Sequence, residues 1–234
     1  MGSDKTVYVV LGGTSGIGAE LAKQLESDHT IVHVASRQTG LDISDEKSVY
    51  HYFETIGAFD HLIVTAGSYA PAGKVVDVEV TQAKYAFDTK FWGAVLAAKH
   101  GARYLKQGGS ITLTSGMLSR KVVANTYVKA AINAVANTYV KAAINAAIEA
   151  TTKVLAKELA PIRVNAISPG LTKTEAYKGM NADDRDAMYQ RTQSHLPVGK
   201  VGEASDIAMA YLFAIQNSYM TGTVIDVDGG ALLG

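Results

Sequence analysis

The 234-residue sequence contains no cysteine. That excludes disulfides and thiolate metal centres, and it suits a reducing compartment. Neither sign of charge is in excess, with 22 Lys plus Arg against 22 Asp plus Glu, so no basic field marks the chain for nucleic acid or an anionic membrane. No apolar run approaches the roughly 20 residues of a membrane span. The N-terminus runs through Met1-Gly2-Ser3-Asp4-Lys5 into "TVYVVLGG" without a signal-peptide core, and Gly2-Ser3 reads as a scar of cloning. The histidines His51, His61, His100 and His195 lie scattered without the spacing of a zinc site, so no metal is expected. No Pro/Gly/Ser-rich linker divides the chain. These absences leave a single cytoplasmic domain that binds neither nucleic acid nor a membrane.

What is present is a regular alternation. Six β-branched runs, "VYVVLGG", "IVHVASR", "HLIVTAG", "SITLTSG", "IRVNAISPG" and "TVIDVDGG", are separated by amphipathic stretches such as "GAELAKQLES", "AKYAFDTKFWGAVLAAKHGARYL" and "ASDIAMAYLFAIQN". Near-continuous Val/Ile strands between helices predict an α/β fold with a doubly wound, Rossmann-like parallel sheet spanning residues 1–234.

The first strand ends in "GGTSGIG", with Gly12, Gly16 and Gly18 opening a helix. Small residues here let a backbone approach a pyrophosphate, and the helix start offers N–H groups. Tight strand-to-helix packing would select the same glycines. At the end of the second strand stand Ser36 and Arg37 and no acid. An acid there would take ribose hydroxyls, whereas Arg would meet a 2′-phosphate; a solvated strand-end charge is the plain alternative.

The spacing G-x-x-x-G-x-G, with "VTAG" at 64–67, "SPG" at 168–170 and the closing "TGTVIDVDGG", resembles the short-chain dehydrogenase/reductase family over nearly the whole chain. The resemblance implies an NADP(H)-dependent oxidoreductase of carbonyl or alcohol groups on an unidentified small molecule, assembled as a homodimer or homotetramer. It implies a cofactor site of Gly12, Thr14, Ser15, Gly16, Ile17 and Gly18 on the pyrophosphate, and Ser36 and Arg37 on the 2′-phosphate. Asp42 and Ile43 fall beside adenine, Thr65, Ala66 and Gly67 beside the ribose, and Pro169, Gly170, Leu171, Thr172 and Thr174 over the nicotinamide. The family helix between Arg37 and Asp42 is missing. Residues 173–202 fall where relatives carry a mobile substrate lid, and Phe91 and Trp92 read as core or subunit-interface residues.

The family also implies a Ser, a Tyr and a Lys four residues beyond the Tyr, since a cation one helical turn away eases proton exchange. Ser115 fits the first position, or else is a strand-end hydroxyl serving local backbone. The rest departs. The phrase "VANTYVKAAINA" occurs twice in succession, at 123–134 and 135–146, and each copy holds Tyr-x-Lys. Tyr139 and Lys141 are about 200° apart on a helix and cannot enter one pocket together. Counting back from "LAKELAPIRVNAISPG" puts the Tyr slot on Lys141 and the Lys slot on Asn145, while Lys90 holds the place of a catalytic Asn. Ser115, Tyr139, Lys141 and Lys90 are therefore the catalytic candidates of an atypical branch, with structural or solvated lysines as the plain alternative. A period of twelve matches no solenoid, so the repeat reads as a tandem duplication. Either the second copy holds the native register, the first extending the helix through Ala134–Val135 or adding to the loop after Ser115, or copy one sits in the cleft and copy two bulges out of the helix. Beside the enzyme stand two other readings: a nucleotide-binding sensor or scaffold with little turnover, and an engineered duplication variant of impaired activity.

Overall fold

Six strands, all parallel, form one sheet in the order β2-β1-β3-β4-β5-β8 in the computed structural model, which describes residues 5–67, 70–71, 75–121 and 139–233. They are β1 (Thr6–Leu11), β2 (Thr30–Ala35), β3 (Phe59–Val64), β4 (Leu105–Thr114), β5 (Arg163–Pro169) and β8 (Val224–Val227). These are the six runs expected from the sequence. The two-residue strands β6 (Thr172–Lys173) and β7 (Gly202–Glu203) pair separately. The first copy of the repeated phrase, the junction at Ala134–Val135 and the first four residues of the second copy lie outside the described residues.

Alternation along each strand builds two cores. Val9, Leu11, Leu62 and Ile111 face one side, where α2 (Glu46–Ile56), α4 (Gly93–Gly101) and α5 (Tyr139–Glu158) supply Phe53, Ala97 and Ile144. Val10, Ile63 and Ile167 face the other, where α1 (Gly16–Leu25) and α7 (Ala204–Gln216) supply Leu21, Ile207 and Tyr211. A sheet covered on both faces favours apolar side chains on both, as in β1; β4 instead alternates, with Ser110 and Thr112 buried between Ile111 and Leu113.

Two helices escape the periodicity argument above. Helix α2 starts at Asp45, whose side chain accepts from the Lys47 N–H at 3.1 Å, and buries Val49 and Phe53 one turn apart. Helix α6 (Ala182–His195) lies inside the stretch expected as a lid and buries only Met188, so its largely polar surface hid it. The long stretch over 83–105 divides into α3 (Val80–Phe87), a wide π turn over Asp88–Trp92, and α4. Such wide turns recur at functional sites because the extra residue re-aims side chains. Phe91 packs against the core, whereas Trp92 points outward, 52% exposed. Between Arg37 and Asp42 there is only a short 3-10 turn, Arg37–Thr39, as expected.

Phe53 is fully buried, stacks on Phe59 at 5.6 Å and abuts the surface of Gly101. Phe53→Ala is expected to lower stability by about 3–5 kcal/mol, read as a lower urea midpoint with an unchanged slope.

Candidate active site

The strand order reverses between β1, which lies beside β2, and β3 on its other side. A crevice opens at the carboxyl ends of strands where such a reversal occurs. Here it is a cleft of about 570 Å³ whose lining runs from the glycine turn, past Ser36 and Arg37, to Lys90, Lys141 and Asn145. One wall is built by close approach. Gly12 has φ +93°, and a Cβ on it would lie 2.5 Å from the Ala66 nitrogen; a Cβ on Gly18 would lie 2.4 Å from Thr65 Oγ1. Neither position tolerates a side chain without moving backbone. The glycines thus serve tight packing, and the turn they form lines the cleft.

The cleft has the donor set for a phosphorylated nucleotide. The Gly16 N–H, at the start of α1, already donates to a carboxylate oxygen, Glu175 Oε2, at 2.8 Å, so the helix start accepts an anion. The Thr14 hydroxyl donates to Ser36 Oγ at 2.9 Å, and Ser36 Oγ also accepts from the Gln38 N–H. Arg37 is exposed and donates from Nη1 to Tyr85 Oη at 3.0 Å. Asp42 is held below the ordinary carboxylate range by hydrogen bonds from the Ser44 hydroxyl and amide.

At the other end the π turn presents Lys90. Its Nζ donates to Asn145 Oδ1 at 2.9 Å and to the Ser115 carbonyl at 3.2 Å. Asn145 Nδ2 in turn donates to the Gly116 carbonyl at 3.1 Å, so the amide is clamped from both sides. The Lys90 residue touches the cleft but its ammonium is enclosed. Lost hydration, then the positive charge of Lys141, push its pKa down to about 8. Lys141 is also lowered, through burial.

The expected site residues divide cleanly. Gly12, Thr14, Ser15, Gly16, Ile17, Gly18, Ser36, Arg37, Asp42, Ile43, Thr65, Ala66, Gly67, Thr174, Lys90 and Lys141 all line the cleft. Pro169, Gly170, Leu171 and Thr172 do not. The chain from β5 reaches the cleft one step later, through Thr174, Glu175, Ala176, Tyr177 and Lys178. Tyr139 is 44% exposed at the start of α5 and is not part of the lining. The helical offset of two residues explains why Lys141 faces in and Tyr139 does not. Lys141 and Asn145, four apart, share the inward face.

Ser115 is buried and also absent from the lining. Its hydroxyl is directed at α5, with Glu149 Oε1 at 2.8 Å and the Asn145 carbonyl at 3.2 Å. Glu149 Oε1 accepts from Ser119 as well, at 2.6 Å, and Oε2 lies 3.6 Å from Arg120 Nε. Arg120 forks onto Asp226 and donates to Ser168 Oγ at 2.9 Å. Sequence reasoning missed Glu149, although it extends the series Lys141, Asn145 in steps of four.

The family model described as Enoyl-(Acyl carrier protein) reductase matches residues 15–231. A small-chain dehydrogenase crystallised in complex with NADPH is 94% identical, with a TM-score of 0.92 and coverage of 99% of this chain and 100% of its own. The short-chain dehydrogenase/reductase ATR9 of Stachybotrys chlorohalonatus is 31% identical over 261 residues, 96% of each chain. Carbonyl reductase family member 4 of Danio rerio is 31% identical over 250 residues, 96% of this chain and 97% of its own. The chain belongs to the short-chain dehydrogenase/reductase family and is an oxidoreductase of that type.

The lowered pKa of Lys90 has a consequence for stability. Unfolded, the amine titrates near the ordinary 10.5; folded, it titrates near 8. Between these values the unfolded chain holds the extra proton, so this group adds stability as pH rises from about 8 to about 10. Urea unfolding of the parent and of Lys90→Met should therefore show the variant's relative advantage shrinking over that range. Parallel pH profiles would disprove it.

Proposed function

We propose that the protein is an NADP(H)-dependent oxidoreductase that interconverts a carbonyl and an alcohol on a small molecule. The observation that carries the reading is the continuity of one cleft, with a glycine-walled anion seat and Ser36–Arg37 at one end and two lysines at the other. The 94% identical dehydrogenase crystallised with NADPH supports it.

Along this cleft the backbone of Gly12–Gly18 would face the pyrophosphate. Ser36 and Arg37 would hold the 2′-phosphate, Asp42 and Ile43 would flank the adenine, and Thr65–Gly67 and Thr174 the riboses. The Arg37 guanidinium offers a planar pair of donors to phosphate that an acid at this place would repel. When bound, NADPH supplies a hydride to the substrate carbon; the chain must supply the proton.

Lys141 is the group assigned to that transfer. Its Nζ–H donates to the substrate oxygen as the carbon is reduced, the alcohol leaves with that proton, and the neutral amine regains one from solvent. Burial lowers its pKa, which brings a lysine toward the range where a general acid works at neutral pH. Lys90 keeps a second positive charge beside it, and Asn145 and the Ser115 carbonyl fix the Lys90 ammonium in place. Lysine and asparagine have in this sense traded places relative to the family resemblance: the cation comes from the π turn before α4, and the amide comes from α5. Ser115 is then a positioning residue, tying the end of β4 to Glu149.

Lys141→Met is expected to lower kcat for NADPH-dependent carbonyl reduction by at least about 100-fold, with NADPH affinity held within a few-fold. Undiminished turnover would remove Lys141 from the chemistry. Arg37→Ala should weaken NADPH binding by about ten-fold or more and leave NADH binding unchanged, as read by nicotinamide fluorescence titration.

A further inference from the structure

The residue that meets the Gly16 amide belongs to the chain itself. Glu175 opens the 3-10 turn Glu175–Tyr177, which Thr174 caps by accepting from the Ala176 N–H. Its Oε2 accepts from the Gly16 N–H across 159 residues of sequence. Gly16 itself has φ +54°, and a Cβ there would touch Thr174 Cβ at 3.4 Å, so the segment lies directly on the glycine turn. The same segment, Thr174–Lys178, forms part of the cleft wall. It is held from behind by an edge-on contact of Tyr177 with Tyr189 of α6 and by Lys173 donating to Glu203 at 2.7 Å.

We propose that Glu175 is an autoinhibitory latch, its carboxylate occupying the backbone seat that the pyrophosphate of the dinucleotide requires. The idea rests on the nucleotide reading above and goes beyond it. A main-chain N–H at a helix start accepts one strong anion at a time. A carboxylate seated there must leave before a phosphate oxygen can enter, and two anions left side by side repel each other. The segment is suited to leaving, because the contact is solvent-exposed and made by one side chain. A second seat lies next to the first. A shallow groove shared by Gly16 and Glu175 is lined by Ala19, Glu20, Lys23 and Lys173. Lys173 is committed to Glu203 and the Glu20 carboxylate to Gln24, which leaves the Lys23 ammonium as the cation toward which the displaced carboxylate can turn. The closed contact thus links the segment over the cleft to the state of the phosphate seat, so nucleotide entry and movement of residues 174–178 become one event.

The test measures equilibrium binding of NADPH and of adenosine 2′-monophosphate to the full chain, in the parent, Glu175→Gln and Glu175→Ala. Adenosine 2′-monophosphate has no pyrophosphate and does not need the Gly16 amide. The latch predicts tighter NADPH binding in both variants, by about ten-fold in Glu175→Ala and less in Glu175→Gln, with adenosine 2′-monophosphate unchanged within two-fold. Thermal melting of each variant reports whether it folds as the parent does. NADPH affinity that is unchanged or weaker in both variants overturns the latch while leaving the nucleotide reading intact. An equal gain for both ligands also overturns it, since that would be a diffuse charge effect. Failure of all three proteins to bind NADPH overturns the latch and the nucleotide reading together.

Discussion

Everything at the working end of this molecule depends on how closely the first turn is pressed against the end of β3. The Leu11 carbonyl accepts from the N–H groups of both Thr65 and Ala66, at 2.8 and 2.9 Å, and the Gly12 N–H donates to the Ala35 carbonyl at 2.7 Å. Three strands are thereby joined beyond their last regular pairs, at the point where the sheet order reverses. Only residues without a Cβ fit between them at Gly12 and Gly18. The cleft is therefore a product of main-chain packing first. Its side chains are attached to a wall that the sheet already fixes.

On that wall the costly element is positive charge. An enclosed ammonium loses hydration worth several kcal/mol, and Lys90 recovers it from two neutral oxygens, with Lys141 adding repulsion. A lowered pKa is the physical expression of that imbalance. Glu149 gathers two hydroxyls and Arg120 around one carboxylate. These contacts tie the end of β4 and the turn after it to α5.

The sheet and the glycine-walled end of the cleft were legible in the sequence, because strands buried on both faces read as Val/Ile-rich runs and close approach imposes glycine. Legibility failed where polarity hides a helix, as in α6, or where a short cap-and-anchor pattern is easily passed over, as in Asp45 with Val49 and Phe53. At the chemical end, counting placed Lys141 and Asn145 on one face, and the structure puts both on the cleft. The direction of the Ser115 hydroxyl was not legible. A strand-end serine can turn to either side, and only the position of Glu149 one turn beyond Asn145 decides which. From Pro169 to Thr172 the chain stays off the cleft lining, which it joins at Thr174, just before the 3-10 turn Glu175–Tyr177.

Polar groups also gather at the opposite border of the sheet, with a different character. His61 meets Ser110 at 2.9 Å and stacks on Tyr8, and burial pushes its pKa down to about 4. Arg163 donates to the carbonyls of Ala214, Ile215 and Asn217 at the end of α7. These contacts hold the strands and α7 together. The two borders therefore answer to separate demands. One can be rewritten for a new reactant while the other keeps the chain foldable, and an inherited scaffold of this kind can change its chemistry without first learning again how to fold.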